Sequence, residues 1–73
     1  MTKLPRVSGK DCQKALERSG FRFIRQNGSH MILRRDDPFS QVVVPAHDEL
    51  DRGTLRAILR MAGLSVEEFL AKL

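Results

Sequence analysis

Asn27-Gly28 separates two short runs of strand-forming residues, Phe21 to Gln26 and Met31 to Arg35. That dipeptide between such runs is among the strongest local signals for a β-hairpin, so the middle of the chain must fold back on itself as antiparallel strands. Period-two alternation sets Met31 and Leu33 toward a core and His30, Ile32 and Arg34 toward the opposite face. Asp36, Asp37, Pro38 and Ser40 mark a second turn. The β-branched run Gln41 to Val44, closed by Pro45, then reads as a third strand.

On either side of these strands the apolar period becomes helical. Ser8 with Asp11 three residues later forms a capping box in which Asp replaces Glu, and Val7 and Cys12 stand where a hydrophobic staple sits. A helix is expected over Gly9 to Ser19, with Cys12, Ala15 and Leu16 buried and Gly20 as its stop. Asp51 caps a second helix, with Leu50 and Leu55 as staple, Leu55, Ile58, Leu59 and Ala62 on the buried face, and Gly63 ending it. Ser65 with Glu68, and Leu64 with Phe69, open a short last helix carrying Leu70 and Leu73. The order α-β-β-β-α-α predicts an α+β fold in which a three-stranded antiparallel sheet has its helices on one face. Seventy-three residues have room for one domain, 1–73, around one small core.

The charges point to a polyanion. Thirteen Lys and Arg against nine Asp and Glu give a net charge of +4, which favours nucleic acid or anionic lipid as partner. Arginine outnumbers lysine, and its planar fork grips phosphate through two hydrogen bonds, which tilts the reading toward nucleic acid. Lys10, Lys14 and Arg18 recur every fourth residue on the first helix, as do Arg52, Arg56 and Arg60 on the second. Such rows are often no more than solvated faces, but two of them at phosphate-binding spacing raise the expectation of nucleic-acid contacts at Lys10, Lys14, Arg52 and Arg56. The four phenylalanines are the only aromatic residues, and a small core needs most of them, so recognition of backbone and shape is expected ahead of base stacking.

No apolar run is long enough to cross a bilayer, and the stretch Met1-Thr2-Lys3-Leu4-Pro5 lacks the apolar segment of a signal peptide. A cytoplasmic protein without membrane contact is the expectation. Cys12 is the single cysteine, so it forms no internal disulfide and is expected to pack as a small hydrophobe. There is no HExxH, Cys/His zinc spacing, phosphate-binding glycine loop or nucleophile elbow, and no metal or cofactor is expected.

What remains is acid–base chemistry on a bound polyanion. Histidine is the side chain whose ordinary pKa, about 6.5, suits proton transfer near neutrality. His30 follows Gly28 and Ser29 at the mouth of the hairpin, on the same strand face as Arg34. A turn-flanking histidine is more often a surface or hydrogen-bonded residue than a catalyst, and both readings stand at this point. His47, between Ala46 and Asp48 at a helix approach, is either an auxiliary proton-transfer group or structural.

Taken together, these residues resemble the HicA (YcfA-like) toxins, small mRNA interferases paired with HicB antitoxins. The resemblance rests on Leu4-Pro5 and Val7-Ser8-Gly9-Lys10, Gly20-Phe21, Gly28-Ser29-His30, Val43-Val44-Pro45 with His47, and Gly53-Thr54-Leu55 through Ala62-Gly63-Leu64-Ser65. It covers nearly the whole chain. It implies a double-stranded-RNA-binding-domain-like fold, ribosome-independent cleavage of mRNA as an endoribonuclease, and a HicB-like antitoxin partner; with no metal-site motif in the sequence, that cleavage is expected to be metal-independent. It carries the catalytic role of the family's Gly-Ser-His motif to His30, with Ser29 and His47 as possible auxiliaries. Lys10, Arg25 and Arg34 are the expected phosphate contacts near that histidine. The rival is a non-catalytic double-stranded-RNA-binding module of the same fold, in which His30 would be only a shape-reading contact.

Overall fold

The structure, a computed structural model, describes residues 3–73; Met1 and Thr2 of the stretch read against a signal peptide lie outside the described residues. The three caps organise the helices. Ser8 Oγ accepts the Asp11 backbone N–H at 3.0 Å while the Asp11 carboxylate accepts the Ser8 N–H at 3.3 Å, and α1 (Gly9–Arg18) starts there. The Asp51 carboxylate accepts the Thr54 N–H at 2.7 Å at the start of α2 (Arg52–Ala62), and Ser65 with Glu68 repeats the reciprocal box at the start of α3 (Val66–Lys72). Gly20 (φ +100) follows the end of α1 and Gly63 (φ +73) closes α2, both in backbone that favours glycine. Of the three expected staples, Val7 with Cys12 and Leu50 with Leu55 are buried at both positions, while in the third Phe69 is buried and Leu64 half-buried against the core.

Between the helices run β1 (Arg22–Asn27), β2 (His30–Asp36) and β3 (Phe39–Pro45), antiparallel in the order β1-β2-β3. Three details depart from the sequence expectation. Phe21 does not open the first strand but lies buried just before it. The hairpin turn is centred on Gly28-Ser29, one residue later than Asn27-Gly28, with Asn27 pairing with His30. Among the described residues no non-glycine has positive φ, whereas Gly28 has φ +61; a left-handed conformation at the first central position alone is the type II′ pattern, which places glycine first. The third strand begins at Phe39, because the tight Asp37-Pro38 turn, with a cis peptide bond, returns the chain at once to pair Asp36 with Phe39.

Alternation then sorts the sheet into two faces. Met31, Leu33, Val42 and Val44 point inward and are essentially fully buried. The inner row of β2 ends at Arg35, whose guanidinium carbon sits 4.7 Å from the centre of the Phe21 ring, a cation–π contact at the core's edge. Ser40 is buried on the same side, and its hydroxyl donates to the Met61 carbonyl at 2.6 Å, tying β3 to the end of α2. The helices supply Cys12, Ala15, Leu16, Leu55, Ile58, Leu59, Ala62 and Phe69 to this core. α3 has only seven residues, too short to persist alone, and it is held by Phe69; Leu70 and Leu73 remain largely exposed.

Among the described residues no helix covers the outer face of the sheet. It presents Arg22, Arg25 and Asn27 from β1, His30, Ile32, Arg34 and Asp36 from β2, and Phe39, Gln41 and Val43 from β3. A register shift between Phe23 and Arg25 marks a bulge at Ile24, and that extra residue is what brings Arg25 to the outer side opposite Ile32. Two of the four phenylalanines, expected mostly inside, are exposed: Phe39 at 68% on the outer face, and Phe23 at 40% on the edge strand β1 in register with inner-row Leu33.

Candidate active site

The Gly28-Ser29 turn sets the position of His30. A Cβ on Gly28 would meet nothing within 4 Å, so it is the positive φ and not lack of room that asks for glycine. Gln26 Nε2 donates to the Gly28 carbonyl at 2.9 Å, and the Ala46 N–H donates to the Ser29 carbonyl at 2.7 Å, fastening the turn to the chain leaving β3. His30, the first residue of β2, is exposed on the outer face between Asn27 and Pro45.

The same corner receives the start of α1. The Gly9 N–H donates to the His47 carbonyl at 2.9 Å, and a Cβ on Gly9 would run into the Pro45 carbonyl oxygen. Only a glycine lets the helix approach that closely. Ser29, Pro45, His47 and Gly9, followed at once by Lys10, are thus linked through backbone contacts at one end of the sheet, with His30 beside them. The His47 side chain is exposed and its charge is felt by Asp51. Hydrogen bonds from the Thr54 N–H and hydroxyl, with a lesser contribution from His47, hold the Asp51 carboxyl below the usual carboxylate range.

Arg34 lies on the His30 face, as the alternation of β2 predicts. Its Nε is 3.3 Å from Asp36 Oδ1, an ion pair without hydrogen-bond alignment, and among the described residues that buried nitrogen has no hydrogen-bond partner. Arg22, which sequence reasoning did not single out, stands directly opposite Arg34 and donates to the other oxygen of Asp36 at 2.8 Å. Arg25 is exposed on the same face. His30, Arg22, Arg25 and Arg34 therefore share one surface.

The helical rows do not join them. Lys10, Lys14, Arg52 and Arg56 are exposed on α1 and α2, in the layer behind the sheet. Lys10 alone of these lies at the corner next to the histidine turn, through its neighbour Gly9. Arg18 is engaged elsewhere: its guanidinium donates to the Lys72 carbonyl at 2.7 Å and closes the end of α3. A groove of about 550 Å³ between residues 4–6 and the start of α2 is lined by both cations and carboxylates, Arg6 and Arg52 against Glu49 and Asp51.

Among the described residues no three His, Cys, Asp or Glu side chains are grouped as metal ligands would be, and no helix is long and apolar enough to cross a membrane. The family model for the HicA toxin of bacterial toxin–antitoxin systems matches residues 9–64. No curated protein matches the sequence.

Proposed function

The chain belongs to the HicA toxin family, as a toxin of a toxin–antitoxin system, and from that premise we propose that it is a metal-independent endoribonuclease acting on mRNA with His30 as its proton-transfer residue. The observation that carries this reading is the placement of His30: exposed, set by a glycine turn, on the one sheet face left free of helices and shared with three arginines.

The chemistry follows from the groups present. The ribose 2′-oxygen attacks the adjacent phosphorus as its proton passes to a base, and the bond from phosphorus to the 5′-oxygen breaks as that oxygen gains a proton. His30 supplies one of these transfers, and repeated turnover returns the imidazole to its starting state. A guanidinium from Arg25 or Arg34 stabilises the charge that builds on the phosphoryl oxygens. Ser29 and Lys10, at the same corner, are proposed to position the substrate backbone. His47 is the candidate for the second transfer, and its exposure at that corner is what supports the assignment.

The partners proposed are mRNA and a HicB-type antitoxin, in the cytoplasm where transcripts are found. An acidic antitoxin surface laid over the His30 face would block substrate by charge and by bulk. The test is incubation of labelled RNA with the purified chain in EDTA beside His30→Ala. Strand breaks by the wild type and none by the variant are expected. Binding without breaks in either sample would favour the non-catalytic module, and breaks that require added magnesium would remove the metal-free mechanism.

A further inference from the structure

The open face of the sheet is not only cationic. Phe39 is 68% exposed and Val43 45%, and Ile32 pairs with Val43 across the β2–β3 ladder, so apolar side chains lie on either side of the Arg34–Gln41 pair. Arg22, Arg25 and Arg34 outnumber Asp36 on this face, and Asp37 in the adjoining turn is the other carboxylate near Phe39. A flat surface combining an exposed ring, apolar floor and guanidinium groups fits one kind of polyanion better than another. A duplex offers phosphates and groove edges but keeps its base faces stacked inside, whereas a single strand can splay bases onto an aromatic ring while its phosphates meet arginine.

We infer that the open sheet face holds a single-stranded stretch of RNA flanking the cleavage point, with Phe39 stacking one of its bases. This rests on the ribonuclease reading above and deepens it. The register separates the two functions. His30 pairs with Pro45 and Phe39 with Asp36, six residues further along β2, which at ~3.3 Å per residue is about 20 Å. The Phe39 contact is therefore remote from the reacting phosphate, and it tightens binding and biases site choice without taking part in proton transfer. Arg22 and Arg34, held by Asp36 between those two ends, are placed to meet the intervening phosphates.

The chain contains no Trp and no Tyr, so Phe39→Trp installs a sole indole at this position. In a His30→Ala background, which leaves the RNA intact, its emission is titrated with a single-stranded oligoribonucleotide, with the same sequence as a duplex, and with polyglutamate. Quenching by the single strand and not by the other two is expected. With His30 present, Phe39→Ala should raise KM about five- to a hundredfold, the range of one lost base–aromatic stack. Its kcat and melting temperature should stay as in the wild type, and Phe39→Trp should restore KM. An unchanged KM in Phe39→Ala overturns the inference. So does equal quenching by the duplex, which would mean shape reading, or quenching by polyglutamate alone, which would mark the face as a docking surface for an acidic protein. Cleavage by the wild type with an unquenched indole sinks only the stacking contact; a wild type that cleaves no RNA sinks the ribonuclease reading and this inference with it.

Discussion

Arg22 and Arg34 face each other across the β1–β2 ladder, two like charges in a cross-strand pair, and the Asp36 carboxylate sits between them, 2.8 Å from Arg22 Nη2 and 3.3 Å from Arg34 Nε. Directly opposed like charges destabilise a sheet, and the carboxylate relieves that repulsion. Because Arg22 and Asp36 are more than half exposed, the relief is small, below about 1 kcal/mol after solvent screening. Asp36→Ala should therefore lower stability by less than ~1 kcal/mol in a denaturant titration. The same change should tighten RNA binding at low salt and steepen its salt dependence by about 0.7 for each further phosphate neutralised on a single strand. A salt slope identical to the wild type would show that these guanidinium groups do not meet phosphate.

His30 can be removed without disturbing the fold, because it is exposed and its pairing within the sheet runs through backbone atoms alone. His30→Ala should leave the melting temperature within about 4 °C of the wild type, as surface changes of at most ~0.5 kcal/mol do. The cleavage rate should fall by roughly 10²- to 10⁴-fold, the usual contribution of a positioned acid or base. Rate and thermal melt measured on the same preparation decide the matter. A rate loss that merely tracks unfolding would return His30 to the bland surface reading.

The parts of this structure legible in the sequence are those set by neighbours three or four residues apart. Ser8, Asp51 and Ser65 cap their helices through bonds to the third residue onward, so the residue types alone announce them. The outer position of His30, Ile32 and Arg34 was equally readable, because strand side chains alternate and polar His30 and Arg34 bracket the apolar run from Met31 to Leu33. β3 hides the same information: Val42, Val43 and Val44 are chemically equal, and only the ladder shows that Val43 is the one turned outward. Phe39 looked like core material in a chain with four aromatic residues, yet its register opposite Asp36 turns it to solvent. The bulge at Ile24 and the contact of Gly9 with Pro45 join segments distant in sequence, and no local pattern encodes either. Arg22 was missed for the same reason, since its partnership with Arg34 exists only across strands.

Gly9 and Gly53 should respond oppositely to the same added methyl group. At Gly9 it would overlap the Pro45 carbonyl oxygen and break the seating of α1 on the Pro45–His47 segment, so Gly9→Ala should cost about 1–3 kcal/mol. At Gly53, exposed in the first turn of α2, the nearest atom is an Asp51 carboxylate oxygen at 3.5 Å, an ordinary contact. Gly53→Ala should stabilise by up to ~0.5–1 kcal/mol through the higher helix propensity of alanine. Denaturant midpoints of the two variants measured side by side test both signs. Cleavage should weaken in Gly9→Ala even under conditions where it is folded, because Ser29 and His47 hang from the same backbone junction.

Cys12 faces the core from α1 with no measurable solvent exposure, and burial pushes its thiol from the ordinary 9.0 up to about 12. Two consequences follow, one kinetic and one thermodynamic. The thiolate is the reactive form, so the native chain at pH 8 should react with a thiol reagent far more slowly than the same chain in denaturant. Labelling of the native chain at the rate of a free thiol would contradict the burial. For stability, the folded thiol keeps its proton to higher pH than the unfolded one. The stabilisation is complete below about pH 9 and is lost as pH rises toward 12, with a slope of up to ~1.4 kcal/mol per pH unit. Lysines and arginines also titrate in that window, so the comparison is with Cys12→Ala, which carries the same other charges. The alanine variant loses packing at every pH, and its deficit relative to the wild type should be constant below pH 9 and shrink above it, because only the wild type has a buried thiol to ionise.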